Sequence, residues 1–128
     1  MKPADLYNPL MTFILRSSLH GLISNNTMLI TFTGRQSGKQ YTTPISYAQE
    51  GNVITLITDR KHGWWKNLRG AVPVKVRVKG RDLEGTAQIV AANPQTLIAE
   101  IQKVYQTIPP EKAVQIMPSM VMIKIELN

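Results

Sequence analysis

The chain has 128 residues, 43% hydrophobic and 18% charged, enough for one domain whose core needs no staples. Cysteine is absent, which excludes disulfides, thiolate metal sites and a cysteine nucleophile, and fits a reducing cytoplasm. The formal charge of +7 is uneven: ten basic residues between Arg35 and Arg81 stand against only Glu50 and Asp59, so that region either faces an anionic partner or is a solvated basic face.

In chain order, Asn8 and Pro9 open an amphipathic helix with Met11, Ile14, Leu15, Leu19, Leu22 and Ile23 near helical spacing, stopped by Ser24–Asn26. Its apolar run Leu10–Leu15 is too short to cross a bilayer, and no secretory signal is visible, so a cytoplasmic location is expected. The helix is expected to pack on the rest of the domain, with peripheral membrane contact through Phe13 as the alternative.

Strands are predicted over Thr27–Thr33, Tyr41–Gln49, Val53–Thr58, Val74–Lys79 and Leu83–Ala91. Pro44 lacks an amide donor, so its strand must be at an edge, a bulge or an exposed point there. Trp64–Arg69 reads as a short helical turn ended by Gly70. Asn93-Pro94 opens a second amphipathic helix, carried by Leu97, Ile98, Ile101, Val104, Tyr105 and Ile108 and stopped by Pro109-Pro110. A short helical segment runs from Glu111 to Met117. Val121, Ile123, Ile125 and Leu127 mark a sixth strand. Short connections favour antiparallel pairing, so the expected fold is α+β with a barrel of about six strands at its centre.

Two segments carry chemistry. Gly34-Arg35-Gln36-Ser37-Gly38-Lys39 is a glycine-bracketed basic turn, suited to phosphate. It is not a P-loop, because only three residues separate its glycines, Gln40 follows the lysine, and the next segment is extended. Adjacent Trp64 and Trp65 cannot both point inward from one helical turn, so one is expected to line or rim a cleft. Lys66, Asn67 and Arg69 add donors, and the first amides of that turn offer a further anion contact. His20 and His62 stand alone, without metal-ligand spacing, and no hydrolytic triad or carboxylate pair is present. An enzyme of this composition borrows its chemistry from a cofactor. The face Lys75-Arg77-Lys79-Arg81 lacks aromatics on which bases would stack, and no nucleic-acid partner is expected.

The blocks Leu29–Tyr47 and Trp64–Pro73, with the Asn8-Pro9 helix and Arg16–His20, resemble the deazaflavin-dependent nitroreductase family over about Asn8 to Val90. The resemblance implies a split β-barrel of the FMN-binding-like kind, a possible homodimer, and cofactor F420, whose reduced ring passes hydride to a nitroaromatic, a quinone or another activated small-molecule acceptor. It assigns Arg35, Ser37 and Lys39 to the cofactor phosphate, and Tyr41, Thr42, Thr43 and Pro44 to the ring and its ribityl-like chain. Trp64, Trp65, Asn67 and Leu68 would complete the pocket. Tyr41 stands where many members carry an arginine, which keeps FMN open as the alternative cofactor, and a non-catalytic flavin-binding module open as an alternative role. Ser46 and Tyr47 are the candidates for the catalytic proton donor.

Overall fold

The computed structural model describes residues 26–128. The predicted N-terminal helix, and any membrane contact through it, lie outside the described residues. Six strands follow in order: β1 (Thr27–Thr33), β2 (Gln40–Glu50), β3 (Val53–Asp59), β4 (Val72–Val78), β5 (Arg81–Val90) and β6 (Met120–Leu127). They close into a barrel in the order β1-β2-β3-β6-β5-β4, every pair antiparallel.

Alternation along each strand decides what fills it. Met28, Ile30 and Phe32 of β1, Ile54 and Leu56 of β3, and Val74, Val76 and Val78 of β4 point inward with Val121, Ile123 and Ile125 of β6. The alternate positions of β3 and β6 face the other side of the barrel wall. There Ile57 and Met122 face outward and are covered by helices α1 (Pro94–Val104) and α2 (Pro110–Ile116) through Ile101, Val104 and Ala113.

The cap predicted for α1 is present. Asn93 Oδ1 accepts from the Thr96 amide at 2.8 Å, and Pro94 opens the first turn. The helix ends at Val104, earlier than its apolar periodicity suggests, because Tyr105 leaves the helical conformation and its hydroxyl donates to the Ile57 carbonyl at 2.8 Å. Burial raises the pKa of that hydroxyl, and the nearby Asp59 carboxylate raises it further. Lys103 reaches Glu50 at 2.8 Å, tying α1 to the end of β2.

Pro44 sits as its chemistry requires. It pairs with Leu29 of β1, whereas β2 meets β3 only from Tyr47 to Glu50, so no ladder bond is asked of its missing amide. Between β3 and β4 the chain forms a 3-10 helix over Trp64–Leu68, packed against β1 and β5. It brings Trp64 within 5.5 Å of Phe32, ring centre to ring centre.

Candidate functional site

The basic turn between β1 and β2 has a shape of its own. The Gly34 amide donates to the Lys39 carbonyl at 2.8 Å and the Gly38 amide to the Gly34 carbonyl at 3.0 Å. Ser37 Oγ accepts from the Lys39 amide at 3.2 Å and lies 3.1 Å from Tyr41 Oη. Gly34 is required by proximity: a Cβ there would lie 2.7 Å from Ser37 Oγ and 2.8 Å from Tyr41 Cε2. Tyr41 itself is half-buried and packs on Phe32, with ring centres 5.9 Å apart.

Opposite the turn stands the loop after β3. Its course is set by Asp59, whose carboxylate accepts from the Lys61 amide at 3.0 Å and whose carbonyl accepts from the His62 amide at 3.1 Å. Turn and loop enclose a cleft of about 600 Å³ lined by Arg35, Gln36, Ser37, Tyr41, Lys61, His62, Lys66 and Asn67 with the backbone of Gly34 and Gly63. Among the described residues, the side chains of Arg35, Lys61 and Lys66 and no carboxylate line it. A cleft of that size and charge fits the phosphate end of a nucleotide-like cofactor.

Asn67 joins the two walls. Its Oδ1 accepts from the Arg35 amide at 3.0 Å, and its Nδ2 donates to the Trp64 carbonyl at 2.9 Å.

Both tryptophans point inward, against the expectation that one would line or rim a cleft. Trp64 is 4% exposed and Trp65 8%. Each can be buried because each indole N–H has its own acceptor: Trp64 Nε1 donates to Thr58 Oγ1 at 3.2 Å and Trp65 Nε1 to the Arg60 carbonyl at 3.0 Å. Lys66 and Arg69 then lie over the Trp65 ring, 5.9 and 5.3 Å from its centre. The aromatic side chain that faces the cleft is Tyr41. The first amides of the 3-10 helix are also engaged, Trp64 N–H with the His62 carbonyl and Lys66 N–H with Gly63 at 3.1 Å.

Of the residues singled out from sequence as donors or ligands, the cleft collects Arg35, Ser37, Tyr41, Lys66 and Asn67. Lys39, Trp64, Trp65 and Leu68 do not line it, and Leu68 is fully buried beneath it. Thr42, Thr43 and Pro44 are divided by strand alternation. Thr43, opposite Ile30, is buried toward the barrel, whereas Thr42 and Pro44, opposite Thr31 and Leu29, belong to the outer wall. Thr42 and Thr31 share a hydroxyl hydrogen bond of 2.8 Å there.

Ser46 and Tyr47 are also outside the cleft, well along β2 from the turn. Tyr47 is 4% exposed, its hydroxyl has no hydrogen-bond partner among the described residues, and burial pushes its pKa up, so it holds its proton inside the barrel. Lys61 and His62 are cleft residues that sequence reasoning missed. The polar loop Asp59–Gly63 was visible, but nothing local says that it folds across from residue 35.

The basic face expected on β4 is offset by its neighbour. Lys75 and Arg77 pair across to Glu84 and Asp82 of β5, with Arg77 Nη1 2.9 Å from Asp82 Oδ1. Among the described residues no helix is long and apolar enough to cross a membrane.

The barrel is shared with several solved structures. One described as a domain-swapped dimer is 18% identical and covers 91% of this chain and 94% of that one, with a TM-score of 0.63. An F420-H2 dependent reductase, FDR-A, is 18% identical over 80% of this chain and 95% of its own, with a TM-score of 0.61. HutZ, a haem storage protein from Vibrio cholerae, is 11% identical over 80% and 82%, also at 0.61. At such identities these similarities speak for the split-barrel fold alone. Comparison with curated proteins finds no match. The family model described as F420H(2)-dependent quinone reductase matches residues 17–114, most of the chain. The protein belongs to that family, and it is an oxidoreductase whose cofactor is F420.

Proposed function

We propose that the protein reduces a quinone or a nitroaromatic compound, holding F420 with its phosphate in the cleft between the Gly34–Lys39 turn and the Lys61–Asn67 wall. The observation that carries this reading is the lining of the cleft: Arg35, Lys61 and Lys66 line it and, among the described residues, no carboxylate does, Asp59 standing outside it 4.0 Å from Lys61 Nζ. When bound, the reduced deazaflavin supplies the hydride that the acceptor takes up.

The remaining work falls to the chain. Arg35 and Ser37 hold the phosphate oxygens with charge-assisted hydrogen bonds, Lys39 adds positive charge from the end of the same turn outside the cleft, and Lys61 and Lys66 neutralise the anionic tail from the opposite side. Tyr41 offers its ring to the cleft. Thr42 and Pro44, on the outer wall of the barrel, line the path of the ring and its ribityl-like chain, with Thr43 buried behind them. Trp64, Trp65 and Leu68 act from beneath, as the packed floor that holds Asn67 and Lys66 in place. Of the two candidates for the proton that completes reduction of the acceptor, Tyr47 is sealed inside the barrel and Ser46 is half-buried on β2, so the role falls to Ser46. A homodimer working in the cytoplasm belongs to the same reading. It is supported by the similar chain described as a domain-swapped dimer.

Titration of the purified protein with F420 and with FMN, followed by fluorescence quenching, tests the site. F420 is expected to bind well below roughly 100 μM, the weak end for a specific cofactor site, and more tightly than FMN. Oxidation of reduced F420 is then followed with menadione and with a nitroaromatic acceptor. Binding without turnover of any acceptor would make the protein a cofactor-binding module and sink the enzymatic half of the proposal.

A further inference from the structure

We infer that Asn67 is a positioning residue, not a cofactor ligand: it sets the place of the anion-binding turn and thereby the preference of the site for a phosphate-bearing cofactor. This rests on the assignment of the cleft to the cofactor phosphate.

The hydrogen bonds inside the turn, Gly34 to Lys39, Gly38 to Gly34 and Lys39 to Ser37, determine its shape. They do not determine where it stands relative to the opposite wall. Arg35 through Gln40 are exposed, so little burial holds them there. The opposite wall, in contrast, is rigidly seated. Trp64, Trp65 and Leu68 are buried, and the two indole N–H groups are bonded to Thr58 and Arg60.

Asn67 spans 32 residues of chain to connect the two. A carboxamide suits the task because it accepts at one atom and donates at the other. The oxygen takes the Arg35 N–H, and the nitrogen gives to the Trp64 carbonyl. An aspartate there would lose the donor and add a negative charge to a cationic cleft. A serine would be too short for both partners. The side chain is half-buried: its bond to the Trp64 carbonyl is partly buried and fixes the carboxamide, whereas its bond to the Arg35 amide is exposed to solvent and holds the turn. With the Arg35 backbone pinned, the guanidinium of Arg35 and the lysines across from it face a common volume before any ligand arrives, and less ordering is left to be done on binding.

The test compares two ligands in wild type, Asn67→Ala and Arg35→Gln: F420, and the deazaflavin ring with its ribityl chain but without phosphate or tail. Wild type is expected to prefer F420. Asn67→Ala should weaken F420 binding about tenfold, the scale of one lost hydrogen bond plus a less ordered turn, and change binding of the phosphate-free fragment by less than about twofold. Turnover at saturating F420 should stay within about twofold, so that KM for F420 moves and kcat does not. Equal weakening of both ligands, or of neither, overturns the positioning role. If Asn67→Ala does not fold, Asn67→Ser carries the same comparison with the same expected outcome. Should wild type show no preference for F420, or Arg35→Gln keep the full preference, the phosphate assignment falls and the inference with it. A preference lost in Arg35→Gln but kept in the Asn67 variants overturns the inference alone.

Discussion

Two regions of this molecule carry positive charge, and they are built differently. On β4 the basic residues are matched across the hairpin: Lys75 stands opposite Glu84 and Arg77 opposite Asp82, with a 2.9 Å contact in the second pair. Around the cleft, Arg35 comes from the turn between β1 and β2 and Lys61 and Lys66 from the wall after β3, and among the described residues the lining holds no acid; Asp59, outside it, lies 4.0 Å from Lys61 Nζ. A charge count along the chain merges the two regions into one basic stretch. The hairpin separates them, because adjacent antiparallel strands bring opposite charges side chain to side chain, whereas loops gathered at one end of a barrel can present like charges toward a shared gap. Uncompensated charge facing a concavity is what an anionic ligand recognises.

The strongest way to break this comparison is to remove charge from each region in turn. Arg35→Ala combined with Lys66→Ala should weaken F420 binding about a hundredfold at low ionic strength. That assumes about tenfold for each contact after solvent screening, and the loss should shrink as salt is raised. Lys75→Ala should change it less than about twofold. Comparable losses in both, measured by fluorescence titration at two salt concentrations, would mean that the whole basic stretch acts as one field.

Geometry can be separated from charge through Gly34. Gly34→Ala leaves every charge in place but drives a Cβ against Ser37 and Tyr41. The expected result is about a tenfold loss of F420 affinity and a fall in Tm of about 5 °C, the scale of overpacking by one methyl group. If affinity is unchanged, the turn's shape matters less than its charge.

The smallest effect is expected far from both regions. Tyr105→Phe removes the hydrogen bond to Ile57 and should cost about 1 kcal/mol of stability with no change in cofactor affinity. The folded protein raises the Tyr105 pKa above its ordinary value of 10.0, so the protonated form is the one that the fold favours. That stabilisation is complete below pH 10.0 and is lost as pH rises through the higher folded value. Thermal unfolding followed from pH 9 to 11 should therefore show a shallower alkaline decline in the variant. Burial of Tyr47 adds its own share to the wild-type decline, so the decline is not abolished.

Much of the architecture was legible because it depends on local pattern. Alternating valines on β4, the Asn93-Pro94 cap and the proline in β2 each have one physical reading, and the structure follows them. The site was legible only where its residues are contiguous. Arg35, Ser37 and Tyr41 share one turn and the strand it enters, so their proximity needs no tertiary information. Lys61 and His62 become cleft residues only because the loop after β3 folds across from that turn. The tryptophans were misread for a related reason. Whether two adjacent indoles can both be buried depends on finding an acceptor for each N–H, and those acceptors, Thr58 Oγ1 and the Arg60 carbonyl, are matters of packing.

By itself, then, the sequence determined the strands, the caps, the basic glycine-bracketed turn and the family to which the chain belongs, since all of these reside in short-range order. Tertiary structure decided which basic residues are neutralised and which face the cleft, that Tyr41 lines the cleft while the tryptophans are buried, and that Asn67 connects the two walls. Charge compensation and hydrogen-bond satisfaction depend on distances of a few ångströms between segments remote in the chain, and only the closed barrel sets those distances.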